Sequence, residues 1–165
     1  VPPEGVDNQA MLAEKLGSAE RRDEMHAQIT ALGKELGITF HFDRIRVRPN
    51  TLDAHRLLLW AHTESIAMQN EVVDRLYRAN FEEGRNIGDH KVLADIAAEA
   101  GMDREMVVKL LESDADKEMV RGEIANAQEM GVTGVPFFVF NGKYAVSGAQ
   151  PVEVMQQALT QLAAA

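Results

Sequence analysis

The sequence predicts an α/β fold that is mostly helical and ends in a β-hairpin with one covering helix. Two patterns lead to this fold class. Helical periodicity and helix-capping residues fill residues 7–130 almost without interruption, and residues 136–147 then change to a strand, a turn and a second strand. After Pro151, apolar residues recur at helical spacing over 151–163 and can cover one face of the hairpin.

Two helices and a short extended segment are expected at the beginning of this region. Asp7 is placed to cap a short helix that ends at Leu16, and Ser18 to cap a longer one that ends at Leu36. Gly37 stops the second helix. Residues 38–42 are then predicted to be extended.

The middle of the chain predicts five further helices before the hairpin. One runs from Asn50 and Thr51 to about His62, and Thr63 is expected to cap the next, which extends to Gly84. That second helix is predicted to bury Ile66, Val73, Leu76 and Tyr77.

Asp89 and Asp103 are expected to cap two shorter helices, and residues 114–130 form the helix that leads into the hairpin. The apolar residues predicted to be buried in the two shorter helices are Val92, Leu93, Ile96, Met106, Val107, Leu110 and Leu111.

The hairpin has the clearest local signal in the sequence. Phe137 to Phe140 is an aromatic and β-branched run, and Asn141-Gly142 is the pair that a two-residue type I′ turn favours. Pro136 stands at the head of the first strand, where its missing N–H least disturbs the ladder. Its peptide bond with Val135 is compatible with either isomer, although trans is the commoner one for X-Pro bonds.

Two strands and one helix do not complete a sheet, because the apolar hairpin needs further strands beside it. We therefore expect three segments: a linker over 1–6, a helical insertion over 7–130, and the C-terminal half of an α/β domain over 131–165.

Composition narrows the classes of function. The chain has 165 residues, a formal net charge of −9 and no cysteine. The negative charge disfavours binding to nucleic acid or to anionic membrane surfaces. No apolar run approaches the roughly 20 residues of a membrane span, and no histidine and carboxylate pattern predicts a metal site.

Three motifs in order resemble the DsbA-like, FrnE-type oxidoreductases of bacteria, which have a thioredoxin-like fold with a large helical insertion. The motifs are residues 2–7, residues 49–57 (PNTLDAHRL), and residues 134–140 (GVPFFVF) with 147–151 (SGAQP). In that family a βαβ unit carrying Cys-x-x-Cys comes before the first motif, and this chain begins just after that unit. The resemblance implies protein disulfide exchange in the cytoplasm by the parent protein, and inactivity of the cysteine-free chain.

The resemblance also implies the site residues. Val135 and a cis Pro136 position a protein substrate or a small thiol or disulfide, and no catalytic residue lies in this chain. Asn50 is either a contact at the rim of the active site or a helix cap, and His55 is a candidate proton acceptor. No cofactor is expected, apart from glutathione as a co-substrate.

Three other interpretations remain open. Kappa-class glutathione transferases and 2-hydroxychromene-2-carboxylate isomerases share the superfamily, and there Val135, Ala149 and Gln150 would contact glutathione. Residues 92–111 have the spacing of a helix-turn-helix, but acidic residues outnumber basic ones. The chain is otherwise a non-catalytic fragment that binds or forms a homodimer through its uncovered sheet.

Arg44, Arg46 and Arg48 alternate and therefore share one face, with Arg56 not far along the chain. Such a row either holds an anion, such as a glutathione carboxylate, or is a solvated strand edge.

Overall fold

The computed structural model describes residues 1–163 and, within them, eight helices and four short strands. Ala164 and Ala165, the last residues of the expected C-terminal segment, lie outside the described residues. The helices are α1 Asn8–Leu16, α2 Ala19–Glu35, α3 Leu52–Glu64, α4 Ile66–Phe81, α5 His90–Ala100, α6 Arg104–Glu112, α7 Lys117–Glu129 and α8 Val152–Ala163. The strands are β1 Val6–Asp7, β2 Val47–Arg48, β3 Phe137–Phe140 and β4 Tyr144–Ser147.

The chain divides into two compact units, one formed by Val1–Val120 and one that begins at Arg121. The first unit contains α1 to α6, the start of α7, and the two-stranded sheet of β1 and β2. The second unit contains the rest of α7, the hairpin of β3 and β4, and α8.

Side chains cap the helices where the sequence predicts them. Asp7 accepts a hydrogen bond from the Ala10 amide, and Ser18 accepts one from Arg21. Asp89 and Asp103 cap α5 and α6 in the same way, each accepting two backbone N–H bonds. These side chains satisfy amide groups that have no partner within the first turn of a helix.

The cap of α4 is Ser65, and the prediction of Thr63 was wrong. The Ser65 hydroxyl accepts a hydrogen bond from the Met68 amide at 3.0 Å, and its backbone is extended between α3 and α4. Thr63 still belongs to α3, where its hydroxyl donates to the Trp60 carbonyl at 2.6 Å. A threonine hydroxyl that bonds back into its own helix cannot cap the next one.

The buried face of α4 also differs from the expected one. Val72, Leu76 and Ala79 are buried at the spacing of one helical stripe, whereas Ile66 and Tyr77 are exposed and Val73 is half-buried. In α6 the predicted Val107 and Leu111 are buried but Met106 is exposed. Both differences have the same cause, because the neighbouring helices determine which face of a helix is buried. α4 packs between α3 and α5, and α6 packs against α5.

The core of the first unit lies among α3, α4, α5 and α6. Leu57 on α3 and Leu93 and Ile96 on α5 have no solvent exposure, and α5 buries Leu93 and Ile96 through the face that the sequence predicts. Val92 and Leu110 are half-buried and pack against this core. At about 25 cal/mol per Å² of apolar surface, such side chains are the main stabilising contribution to the unit.

Residues 1–6 do not form a linker throughout, because Val6 belongs to a strand. Val6 pairs with Arg48 and Asp7 with Val47 in an antiparallel sheet. Residues 38–42 pair with no strand among the described residues and instead bring Phe40 and Phe42 into an aromatic cluster. This cluster also contains His26, Tyr77 and Phe81.

The hairpin of the second unit forms where it is predicted, with one change in register. Asn141 and Gly142 both have positive φ, of 51° and 66°, as a type I′ turn requires. Phe140, however, pairs with Tyr144, so Lys143 also lies between the paired strands. The hairpin is therefore closed by three residues rather than two.

Helices α7 and α8 start later than expected. α7 begins at Lys117, three residues after Asp114, because Asp116 adopts a left-handed backbone with φ of 60°. α8 begins at Val152, and the Pro151 carbonyl accepts bonds from the amides of Val154 and Met155. No residue from 121 to 163 is buried.

Candidate functional site

The site residues expected from the sequence lie in both units. Asn50 and His55 belong to the first unit, whereas Val135, Pro136 and the 149–150 pair belong to the second.

The turn formed by Val135 and Pro136 leads directly into β3. The peptide bond between these residues is cis. The Pro136 carbonyl accepts a hydrogen bond from the Gly148 amide at 2.8 Å, which closes the open end of the hairpin. Val135 is 88% exposed, and its backbone takes no part in the hydrogen bonds among the described residues. A free, exposed backbone beside a strand is the arrangement that accepts an extended peptide as an added strand.

Ala149 and Gln150 follow β4 and are both exposed. The Gln150 side-chain amide donates to the Ser147 carbonyl at 2.8 Å, so it stabilises the bend after the hairpin. Gly148 has φ of 82°, a conformation that glycine adopts without strain. The contacts of this segment are thus local, and its role toward glutathione stays a prediction.

Asn50 uses both ends of its side chain within the protein. Its Nδ2 donates to the Val1 carbonyl at 2.7 Å, and its Oδ1 accepts from the Leu52 amide at 3.0 Å. Thr51 is the N-cap of α3 but makes no side-chain cap bond. Asn50 therefore supplies the side-chain bond at the start of α3, as the capping interpretation expected.

His55 lies on α3 with an exposed imidazole and makes no side-chain hydrogen bond among the described residues. Partial desolvation by the surrounding protein lowers the pKa of the His55 side chain below its ordinary value. This shift favours the neutral form of the imidazole. A neutral imidazole is the form that accepts a proton.

Arg56, one residue further, has a role that the sequence did not predict. It is completely buried and does not belong to the row of Arg44, Arg46 and Arg48, which are exposed. Its guanidinium donates to the carbonyls of Leu110 at 2.6 Å, Ser113 at 3.0 Å and Ala115 at 2.7 Å. It also lies 4.9 Å from the centre of the Trp60 ring.

Asp53 supplies the negative charge for this buried guanidinium. Asp53 Oδ1 lies 2.7 Å from Arg56 Nη1, and Oδ2 lies 2.7 Å from Nε2 of His90 at the start of α5. Partial burial alone would raise the pKa of the Asp53 carboxyl, but the hydrogen bonds from Arg56 and His90 outweigh it and lower the pKa. The i,i+3 spacing of Asp53 and Arg56 was the one signal of this pair in the sequence.

Two of the three lysine and arginine residues in the hairpin of α5 and α6 form ion pairs. Lys91 Nζ lies 2.8 Å from Asp95, and Arg104 Nη2 lies 2.9 Å from the same carboxylate. Arg104, within the segment 92–111 that has helix-turn-helix spacing, and Lys91, just before that segment, are thus paired with one acidic side chain.

Within residues 1–163 no group of three or more histidine, cysteine, aspartate or glutamate side chains is arranged to hold a metal ion. None of the helices in that range is long and apolar enough to cross a membrane.

Comparison with known proteins decides the family. Residues 2–160 match the model of the DSBA-like thioredoxin domain. The chain belongs to the DSBA-like thioredoxin family. The fold expected from the resemblance, a thioredoxin-like fold with a large helical insertion, is thereby confirmed.

A solved structure and two curated relatives agree with this family. The probable DsbA oxidoreductase SCO1869 from Streptomyces coelicolor has a TM-score of 0.84 and 36% identity, over 94% of this chain and 67% of that one. The uncharacterized protein YwbO of Bacillus subtilis is 27% identical over 80% of this chain and 65% of its own length. The thiol:disulfide interchange protein DsbA of Pseudomonas syringae pv. tomato is 30% identical over 56% of this chain.

The chain spans only part of these relatives, namely 65% of YwbO and 42% of the Pseudomonas syringae protein. The relatives therefore contain sequence to which no residue of this chain corresponds. Cysteine is absent from all 165 positions.

Proposed function

We propose that this chain is the substrate-positioning part of a thiol-disulfide oxidoreductase. Its Cys-x-x-Cys pair would lie in the βαβ unit that, in the resembled family, precedes the position of Val1. The turn of Val135 and Pro136 carries this proposal, because the exposed Val135 backbone makes no hydrogen bond among the described residues and lies just before a strand. Membership of the DSBA-like thioredoxin family supports the reaction class.

The proposed reaction is exchange between a dithiol and a disulfide. The thiolate of one cysteine attacks a sulfur of the substrate disulfide, and a mixed disulfide forms as the first substrate thiol leaves. The second cysteine then attacks the mixed disulfide and releases the second substrate thiol. The enzyme is oxidised to a disulfide and the substrate is reduced to two thiols, and the reverse direction uses the same steps.

In this scheme the chain binds and orients the substrate but contributes no nucleophile. Val135 would pair its backbone with an extended segment of a protein substrate, and Pro136 would offer no N–H at the point of closest approach. The substrate class that we propose is a protein disulfide or a small thiol or disulfide, including glutathione. Without the redox pair, we expect the 165-residue chain to be inactive.

His55 and Asn50 have proposed roles in the first unit. The lowered pKa of His55 leaves its imidazole neutral, which suits a proton acceptor for a thiol. Asn50 would act indirectly, because both ends of its side chain hold the start of α3 in place. The FrnE type and the cytoplasmic compartment stay predictions from the resemblance, and a homodimer stays a prediction from the uncovered sheet.

The uncovered apolar surface of the second unit gives independent support. Phe138, Val139 and Leu159 are between 38% and 50% exposed, and β3 and β4 form a sheet of only two strands. A two-stranded sheet is only marginally stable alone. We propose that strands of the preceding βαβ unit pair with this hairpin and cover its apolar residues.

The test is thiol titration and disulfide exchange with the protein expressed from its native start codon. We expect two reactive thiols in the additional N-terminal segment and reduction of a peptide disulfide by that protein. Val135→Pro should lower the rate of exchange with the peptide but leave the thiol count unchanged, since a proline at this position cannot donate to an added strand. Val152→Ala, on the exposed side of α8, is the control and should leave the rate unchanged.

Two results would contradict the proposal. If the protein has two reactive thiols and Val135→Pro exchanges with the peptide at an unaltered rate, the turn does not position the substrate. Absence of reactive thiols together with glutathione binding would instead support the transferase or isomerase class.

A further inference from the structure

Arg44, Arg46 and Arg48 place three positive charges along one short segment, and we call them the arginine row. All three are exposed, whereas Ile45 is buried and Val47 is half-buried. Because inward and outward residues alternate, the three arginine side chains leave the segment on the same, solvent-exposed side. The row therefore presents its guanidinium groups to solvent together.

The arginine row has no carboxylate partner within residues 1–163. None of its guanidinium groups makes an ion pair, a side-chain hydrogen bond or a contact with an aromatic ring in that range. Asp7 lies opposite Val47 in the sheet but caps α1, with its Oδ1 2.7 Å from the Ala10 amide nitrogen. The positive charge of the row is thus not neutralised by contact with the described residues.

Other arginines of the chain do have carboxylate partners. Six of them have a carboxylate oxygen within 3.3 Å, namely Arg22, Arg56, Arg75, Arg78, Arg85 and Arg104. The chain contains 26 aspartate and glutamate residues against 17 lysine and arginine residues, so carboxylates are in excess. Three successive arginines without a partner are therefore a local positive surface on an acidic protein.

Protection of a strand edge does not account for the whole row. Charged residues protect an edge at which a strand would otherwise pair with another chain. The strand β2 contains only Val47 and Arg48. Arg44 precedes it in a turn, where its amide donates to the His41 carbonyl at 3.0 Å. The charge of Arg44 consequently has no strand edge to protect.

The length and charge of the row determine which partner fits it. Residues 44–48 span at most about 13 Å, and alternate side chains of an extended peptide share one side at the same spacing. Carboxylates form strong, charge-assisted hydrogen bonds with guanidinium groups. The rest of the chain carries −12, because the row supplies three of the positive charges within the net charge of −9. A nucleic acid or an anionic membrane would extend beyond the row and meet this negative charge.

We propose that the arginine row binds a short acidic segment of a partner protein. The segment is extended and carries carboxylates at alternate positions, one for each guanidinium group. Binding of this kind needs no redox chemistry, so it does not depend on the proposed disulfide exchange. It is a property of the first unit and can be measured with the cysteine-free chain.

The experiment is fluorescence anisotropy of a labelled peptide titrated with the 165-residue chain at low salt. The test peptide has three glutamates that alternate with serines. One comparison peptide has glutamine in place of each glutamate, and another has the same three glutamates in adjacent positions. Adjacent residues of an extended peptide point to opposite sides, so the last peptide cannot present all its carboxylates to the row.

Three variants of the chain identify the binding residues. The first replaces the row by glutamine through Arg44→Gln, Arg46→Gln and Arg48→Gln. The second replaces the same three residues by lysine, which keeps the charge but lacks the planar fork of donors. The matched control removes three exposed lysines outside the row through Lys15→Gln, Lys34→Gln and Lys109→Gln. Circular dichroism verifies that each variant is folded.

We expect the glutamine variant of the row to bind the alternating peptide at least about tenfold more weakly. The lysine variant should lose about two- to fivefold, and the control less than about twofold. The glutamine peptide should bind at least about tenfold more weakly to the original chain, and the adjacent-glutamate peptide about two- to threefold. Added salt should weaken all of this binding, because the charges are exposed. Amide chemical shifts of Ile45 and Val47 should change on addition of the peptide, whereas those of Leu93 should not.

Four results would overturn the proposal. The first is no binding of the alternating peptide at low salt, and the second is equal weakening in the row variant and the lysine control, which would indicate only overall charge. The third is equal affinity for the alternating and glutamine peptides. The fourth is displacement of the labelled peptide by inorganic phosphate or a single-stranded oligonucleotide at lower concentration than by unlabelled peptide, which would assign the row to phosphate groups.

Discussion

The two units contain similar kinds of apolar residue, but only the first unit buries them in a core. In the first unit, leucine, isoleucine, valine and alanine side chains of four helices form one core, and several of them have no exposure. In the second unit no residue from 121 to 163 is buried, and Val135 is 88% exposed. The difference shows that the helical unit has its own core, whereas the hairpin and α8 expose the surface that a core would cover.

The cause of this difference is the number of layers available in each unit. Four helices bury their apolar stripes against one another, so each stripe has a partner. Two strands and one amphipathic helix cannot shield both faces of Phe137 to Phe140. Such a unit becomes stable when a further element completes the sheet, as the proposed function requires.

The largest expected effect compares one leucine from each unit. Leu57→Ala removes a side chain with no exposure and should reduce the free energy of unfolding by about 2–5 kcal/mol. Leu159→Ala, at a side chain that is 50% exposed, should change it by no more than about 0.5 kcal/mol in this chain. Urea unfolding followed by circular dichroism and by the fluorescence of the single tryptophan measures both. Equal losses for the two variants would show that the second unit has a core of its own.

A smaller effect on stability is expected when two glycines inside helices are replaced by alanine. The replacement should destabilise the first unit and stabilise the second. Gly33 of α2 faces Phe40, and a Cβ there would lie 2.5 Å from the ring, so Gly33→Ala should destabilise the first unit by about 1–3 kcal/mol. Gly122 of α7 has no atom near that position, and Gly122→Ala should stabilise the helix by about 0.5–1 kcal/mol. Thermal unfolding of the two variants and of the original chain measures both changes in stability. A stabilising Gly33→Ala would mean that Phe40 moves away without loss.

At the hairpin turn, one substitution is expected to reduce the stability of the hairpin by about 1 kcal/mol. Gly142→Ala places a side chain at φ of 66° and should weaken the hairpin by that amount, although nothing obstructs the added carbon. Gly134→Ala is the control, since that position has open space and no left-handed backbone. Chemical shifts of Phe140 and Tyr144 report the hairpin population. An unchanged population in Gly142→Ala would show that the turn does not determine hairpin formation.

The smallest expected effect is a pH dependence in the first unit. The pKa of Asp53 is lowered in the folded state, so its stabilising contribution is complete above the ordinary carboxyl value of 3.8. The contribution declines as the pH falls below that value and through the folded-state pKa. The difference in unfolding free energy between the original chain and Asp53→Asn should therefore shrink between pH 6 and pH 3. A difference that grows on acidification would contradict the assigned ion pairs.

The features that the sequence predicted well are those decided by near neighbours. Asp7, Ser18, Asp89 and Asp103 cap their helices because a cap needs only the two or three following amides. Asn141 and Gly142 produce a turn for the same reason.

Features that depend on distant partners were not predicted. The buried face of α4 depends on where α3 and α5 pack, and the pairing of Val6 with Arg48 joins segments about forty residues apart. A charged side chain on a helix is normally assigned to solvent, so the burial of Arg56 was not expected. Its carbonyl acceptors lie more than fifty positions away, where no local pattern identifies them.

The candidate site was predicted unevenly. Val135 is exposed and its backbone makes no hydrogen bond among the described residues, but its contact with a substrate stays a prediction. Asn50 proved to be engaged at the start of α3, and Gln150 bonds to the neighbouring Ser147. Their proposed contacts with substrate or glutathione depend on a bound molecule and cannot be derived from the local sequence.

The central claim is that a preceding segment covers the hairpin of the second unit. The most direct measurement is hydrogen exchange of the amides of Phe138 and Val146 in this chain and in the protein expressed from its native start codon. These residues pair with each other across β3 and β4. We predict at least about hundredfold slower exchange in the longer protein, because a completed sheet must unfold before its amides exchange. Equal exchange in the two proteins would contradict the claim.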